Sequence, residues 1–480
     1  MRKSKRRQRQ TLPFGLFLAA MGALLLAAAV APRANAGSTD YWDSEDPLGL
    51  RPRLAPELFS QPQGVLINQP LAFNDNPTLA LNVASADQPS VFQPLVPDAN
   101  ASWIGGVNST WSTAGNWTAG GPPTGAQTAT FDANFTGANQ PNITAATAVG
   151  TIEMTAAVTQ NVTISATGTN ILTINGTGIA GTGILIDSGA AFSLTITARV
   201  AVGATQAWTN NSGNLFTVSG PTIAIGNNDV LTVNGTGDTL ISSNISGGNP
   251  GSSLTKDGTG TLTLSGTNTY DGNTVVNGGT LLMNGSGAGM GAVTVNTGGT
   301  LGGIGTFSNP VTVNAGGSIA PGNGGNNTGI LTTGALTLAS TSNFRVDING
   351  TTVGTGYDQI NVAAGGVTIT GSNLVVTVGT TLSVGQTFTI LNKASGGAIT
   401  GTFAGIPQGG TVTGSNGTVF SVSYTSGTGG NDIVLTVVST APVPEPSTWM
   451  GGALAIAGLA FTQRRRLKRL MARRCAVGSS

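Results

Sequence analysis

Short alternations of apolar and polar residues recur along most of this chain. Leu172-Thr173-Ile174, Leu231-Thr232-Val233, Val293-Thr294-Val295 and Val311-Thr312-Val313 each put aliphatic side chains on one side of an extended strand and threonine on the other. A period of two marks a half-buried β-strand. The alternations run into Asn-Gly or Gly-Gly, residues that accept the positive φ of a tight turn. No segment of the body carries a sustained helical apolar period.

The strand–turn units are also regularly spaced. Gly-Gly pairs begin at Gly278, Gly298 and Gly316, a nearly even step along the chain. Leu172-Thr173-Ile174-Asn175-Gly176 returns as Leu231-Thr232-Val233-Asn234-Gly235, close to three such steps further on. A period of about 20 residues fits one coil of a parallel β-helix, with roughly ten coils stacked about 4.8 Å apart. A β-sandwich is the rival, but it predicts hairpins at 8–12-residue spacing rather than like units at one period. The expected fold is therefore all-β: a right-handed parallel β-helix (β-solenoid) with end caps, flanked by a signal peptide and a short C-terminal apolar helix.

Composition narrows the chemistry. The 480 residues include 73 Gly and no His, and only 8% are charged. Without histidine there is no imidazole base or ligand, and the lone Cys475 allows neither an intrachain disulfide nor a thiolate metal cluster. The net charge of +1 hides an asymmetry, because the basic residues crowd into the two ends. From Gly37 to Val443 six basic residues face 18 acidic ones, a balance of −12 that a nucleic-acid backbone would repel.

The ends read as addresses. Residues 1–36 form a secretory signal: a basic start, an apolar run, and Ala34-Asn35-Ala36 as an A-x-A cleavage site marked by Ala34 and Ala36. Residues 37–100 carry nine prolines and are expected to be a semi-extended spacer. In residues 101–144, Trp103, Trp111 and Trp117 punctuate a Gly- and Asn-rich stretch. They are expected to cap the open end of the solenoid rather than stack on sugar rings. At the other end Pro444, Glu445 and Pro446 precede Trp449, an apolar run at residues 450–461 and a basic cluster from Arg464.

Two resemblances follow from these residues. The Pro-Glu-Pro element with its apolar and basic tail, residues 441–480, resembles the PEP-CTERM sorting signal. That resemblance implies an exosortase-type processing enzyme, transient insertion in the inner membrane, and delivery to the cell surface or an exopolysaccharide matrix. Leu254-Thr255-Lys256-Asp257-Gly258-Thr259-Gly260-Thr261-Leu262-Thr263-Leu264-Ser265-Gly266, continued to Leu281, resembles the autotransporter-associated β-strand repeat. It sits within a solenoid expected over residues 145–340. Residues 341–440, closing on Gly429-Gly430-Asn431-Asp432-Ile433, resemble the end module of autotransporter passengers, a C-terminal β cap. The membrane barrel that such passengers imply is not expected here, since the Pro-Glu-Pro tail stands in its place.

Candidate chemistry is sparse. Asp257 and Asp271 fall at turns, and Asn431-Asp432 is a single copy of what a calcium-binding nonapeptide repeat would need several times over. No catalytic, cofactor or metal residues are assigned. The expected protein is an exported non-catalytic β-solenoid of the surface or extracellular matrix, linked to exopolysaccharide, biofilm or adhesion. Its expected partners are the processing enzyme and extracellular polysaccharide, with no nucleic acid and no cofactor. The rival is a polysaccharide-cleaving, pectate lyase-like β-helix, which would gather three carboxylates, or carboxylates with Lys256 or Arg199, in one groove.

Overall fold

The computed structural model describes residues 100–247, 251–394, 397–427 and 429–440, and a helical stretch at residues 456–468 from which 458 is left out. Ala34, Ala36, Pro444, Glu445 and Pro446, and the spacer of residues 37–100 except Asn100, lie outside the described residues.

The chain is a parallel β-helix. A first sheet of thirteen strands runs in chain order from Ala101–Ser102 to Thr400–Thr402. A second sheet of eleven strands runs from Asn142–Ile143 to Asn373–Val378. A third face is split between a five-stranded sheet, which ends at Asn244–Gly247, and an eight-stranded one, which begins at Ser286–Gly287. Strands from successive coils pair in parallel, so each strand spends its backbone groups on the coils above and below. Thirteen rungs at the usual strand spacing make a ladder about 58 Å long.

The alternation in the sequence builds the core. Val233, Lys256, Val276, Val295, Val313 and Leu338 pair in turn along the first sheet, and all six are buried. Leu262, Leu281, Leu301, Ile319 and Phe344 do the same along the second. The intervening threonines, among them Thr255, Thr294 and Thr312, face outward and are half-buried. At the turns, glycine is required twice over. Gly235 has φ +108°, and a β-carbon there would lie 2.0 Å from the Asn210 carbonyl oxygen. Gly258, one coil on, has φ +69° and would strike the Gly235 carbonyl at 2.3 Å. Next to these corners the side-chain amides form a chain. Asn314 donates to Asn296 at 2.7 Å, Asn296 to Asn277 at 2.7 Å, and Asn277 to the Asp257 carboxylate at 2.9 Å.

The coil length is not constant. Lys256, Val276, Val295 and Val313 stand on successive rungs at the short, nearly even step read from the sequence. Elsewhere the coil is longer: Trp208 pairs with Val233, Ile152 with Ile184 and Leu338 with Ile369, partners set wider apart in the chain. The return of the Leu172 pattern at Leu231 is therefore not three periods. Leu172 lies in the five-stranded sheet of the third face, where it pairs with Val200, whereas Leu231 lies in the first sheet, where it pairs with Leu254. All three faces ask for the same alternation followed by a tight turn, so a local pattern does not reveal which face a strand joins.

Both ends of the ladder are covered. At the front Trp103, Trp111 and Trp117 are 0–2% exposed and packed on one another, with ring centroids 4.8–6.2 Å apart. Rings so deeply buried have no free face for a sugar. At the back, Thr411–Thr413, Val419–Ser426 and Asp432–Ser439 form antiparallel pairs, and the last of these strands pairs antiparallel with Thr387–Lys393. Ser415 takes the Val378 N–H on its hydroxyl and donates its own N–H to Val376, which closes the outer edge of the second sheet.

Val295→Asp should cost on the order of 3–5 kcal/mol, because it places an unpaired carboxylate inside a dry ladder. Thr294→Asp, one residue away on the outer face, should cost about 0.5 kcal/mol or less. Chemical denaturation of the two variants checks this, and equal losses would mean the facing is wrong.

Candidate functional site

The corner between the second sheet and the third face carries the chemistry. Two excursions leave the coil there, residues 322–329 and residues 349–358. The first begins where Gly303 and Gly322 exchange backbone hydrogen bonds at 2.7 and 2.9 Å. The second brings Tyr357 back beside Ile348, so that Asp358 returns next to Asp347.

Asp358 holds this corner together. Gly329 N–H donates to its Oδ1 at 2.8 Å and Asp347 N–H to its Oδ2 at 2.9 Å. It therefore pins the end of the first excursion to the strand Asn343–Ile348. Only 1% of Asp358 is exposed. Burial pushes its carboxyl up to about 7, against the two backbone donors, which favour the ionised form; the neighbouring Asp347 raises it further. The Asp347 carboxyl is also raised by burial, opposed by the Thr377 hydroxyl and the Arg345 guanidinium.

Arg345 and Asp347 sit two residues apart and so share the outer face of one strand. They line a cleft of about 310 Å³ with Asp358, Thr377 and Gly324. A second cleft of about 440 Å³, lined by Asp238, Thr261 and Thr263, shares Thr280, Leu282, Gly324 and Gly325 with the first. Along one row of this face, Leu282 pairs with Gly302 and Gly302 with Ala320, and Arg345 stands on the next rung. Two small residues between two large ones leave a trough across the rungs. Its groups are hydroxyls, one guanidinium and carboxylates, the equipment for hydrogen-bonding a polar ligand at a water-exposed surface.

Of the groups named for a catalytic reading, Asp238, Asp347 and Asp358 line the joined clefts, but Asp238 stands five strand spacings, about 24 Å, from Asp347, and neither Lys256 nor Arg199 is brought to the trough. Lys256 points into the solenoid and is 2% exposed. Its Nζ donates to the carbonyls of Asp257 at 2.6 Å and of Gly258 and Gly278 at 3.2 Å. Burial lowers its ammonium to about 8, with Asp257 and Asp238 opposing. Arg199 lies on the third face. Asp432 accepts the Lys393 N–H at 2.9 Å in the closing strands. Among the described residues, no three His, Cys, Asp or Glu come together as a metal set. Sequence reading missed Asp347 and Asp358 as a pair, because the excursion between them hides their contact. The available signal was Arg345 and Asp347 at a spacing of two, outward-facing charges in a chain nearly without them.

The fold defines a parallel β-helical repeat protein. Within it, the model of the passenger-associated transport repeat matches residues 254–283. No curated protein matches the chain. The matched segment is a distinctive coil. Where its neighbours place a third strand it has the loop Thr267-Asn268-Thr269-Tyr270, which joins the two sheets of the third face. Asn268 N–H donates to the Ser286 carbonyl at 2.7 Å, and Thr269 N–H to Ile245 at 2.7 Å. Ile245 N–H donates to the Asn268 side chain at 3.4 Å. Tyr270 is buried, with its hydroxyl 2.7 Å from that of Thr274.

Two outcomes are expected. A carboxyl raised in the folded state binds a proton that the unfolded chain has already released, so its stabilising effect is greatest below its unfolded pKa. Stability should therefore fall by on the order of 1–3 kcal/mol between about pH 4 and about pH 7, and Asp358→Asn should flatten that fall. Unfolding followed across this range checks the sign, and a wild-type curve that rises instead would refute it. Lys256→Met should cost about 1–3 kcal/mol by stripping three carbonyls of their donor, as read by urea titration.

Proposed function

We propose that this protein is an exported, non-catalytic β-solenoid that serves at the cell surface or in the extracellular matrix. The observation that carries this reading is a passenger-type transport repeat built into the coils of a long parallel β-helix. A solenoid of this kind offers an extended surface for many weak contacts rather than one deep pocket. The fixed role of Asp358, whose two oxygens are both spent on backbone donors, supports structure over catalysis at this corner.

Sorting by an exosortase-type enzyme rests on Pro444, Glu445 and Pro446 and the tail that follows them. The described part of that tail is the helical stretch at residues 456–468. It exposes Ile456, Leu459 and Phe461, and the Arg465 guanidinium lies 4.7 Å from the Phe461 ring centroid. Among the described residues, no helix is long and apolar enough to cross a membrane. Association with exopolysaccharide, and so with biofilm or adhesion, belongs to the same reading.

The mature chain should begin near Gly37 and lack everything beyond Pro446. Intact-mass measurement on envelope and medium fractions of the producing cell checks this. A surface form that keeps Trp449 to Ser480 would sink the sorting step, and retention in the cytoplasm would sink export altogether.

A further inference from the structure

We propose that the trough on the outer face of the second sheet, floored by Gly302 and Ala320 between Leu282 and Arg345, is a binding subsite for a neutral polysaccharide chain. The inference rests on the reading of this protein as a surface or matrix component, and it names the ligand class and the place.

Three observations carry it. The first is shape. The two clefts join through Thr280, Leu282, Gly324 and Gly325. Together they run along the sheet from the rung of Asp238 to that of Thr377, six strand spacings or about 29 Å. A trough of that length, open to water along the stacking axis, suits a polymer and not a small metabolite. The second is the lining. Thr261, Thr280 and Thr300 offer hydroxyls on successive rungs, with Thr263 beside Thr261 on its strand, while Val375 offers aliphatic surface. Arg345 and Asp347 add a planar donor fork and a carboxylate acceptor at one end. Such a mixture matches a sugar ring, whose C–H faces are apolar and whose neighbouring hydroxyls both donate and accept. The third is charge. Among the described residues Arg345 is the one cation lining the clefts, against the carboxylates of Asp238 and Asp347, Asp358 being buried on its backbone donors. A uronate-rich or phosphate-bearing polymer would meet repulsion there, and an uncharged one would not.

The test uses the full-length protein with two probes of equal length, a neutral hexose oligosaccharide and a uronate oligosaccharide, in titration calorimetry. The neutral probe should bind. Ala320→Leu, which fills the floor, and Arg345→Gln, which keeps an exposed polar side chain without the charge, should each weaken binding about tenfold or more. Thermal unfolding of Arg345→Gln should match the parent, since that side chain is exposed. Preference for the uronate probe, binding indifferent to both substitutions, or no binding of either probe would each overturn the proposal. Cell fractionation tests the surface reading separately: a protein that reaches the surface and binds neither probe loses only the subsite. One that stays inside the cell yet binds the neutral probe through Arg345 loses only the location.

Discussion

Every coil must return to the same register, and the rest of the molecule depends on that constraint. Because the pairing is parallel, a residue always meets the residue one coil on at the same position. Val276, Val295 and Val313 therefore stack as one column, each buried completely. The turns obey the same rule at closer range. With backbone oxygens only 2.0–2.3 Å from where a β-carbon would stand at Gly235 and Gly258, no other residue fits without a shift of the chain. Lys256 shows how strict the column is. A lysine in a valine position is kept only by three carbonyls that hold its ammonium at the corner, and its pKa falls because the site is poor in water.

The constraint binds the strands and the corners but not the residues between them. Short coils follow the matched repeat, as in the step from Val295 to Val313, and longer ones flank them, as in the step from Leu338 to Ile369. The added residues leave at the corners and do not disturb the columns, which is where insertions cost least. Two such excursions, residues 322–329 and 349–358, leave at one corner on neighbouring coils. Asp358 ties them together and so shapes the trough beside Arg345. Surface chemistry in this fold is thus made where a coil is long, on a frame set where coils are short.

An open parallel ladder would present unpaired strands at both ends, a template for association with other chains. Here the front is plugged by three tryptophans packed on one another, Trp117 edge-on against the other two, and the back is turned aside by antiparallel strands with Phe388, Phe403 and Phe420 packed among them. Ends closed in this way leave the outer faces as the surface on which this solenoid meets other molecules.

The alternation by itself determined that the chain is β, that its aliphatic residues face inward, and that short, nearly even coils stack through Val276, Val295 and Val313. It determined this because a period of two is a property of a single strand and needs no knowledge of its neighbours. The clustered tryptophans and the repeat at residues 254–281 were legible for the same reason, being local in the chain. Only the tertiary structure decided which face each strand joins. The matching stretches at Leu172 and Leu231 fall on different sheets, because face depends on the direction of the preceding corner and not on the strand. It also decided that Lys256 points inward, since its place in the column is set by Val233 and Val276 on the adjacent coils. And it alone brought Asp347 and Asp358 together, because the chain between them loops out and back before the backbone of one can donate to the carboxylate of the other.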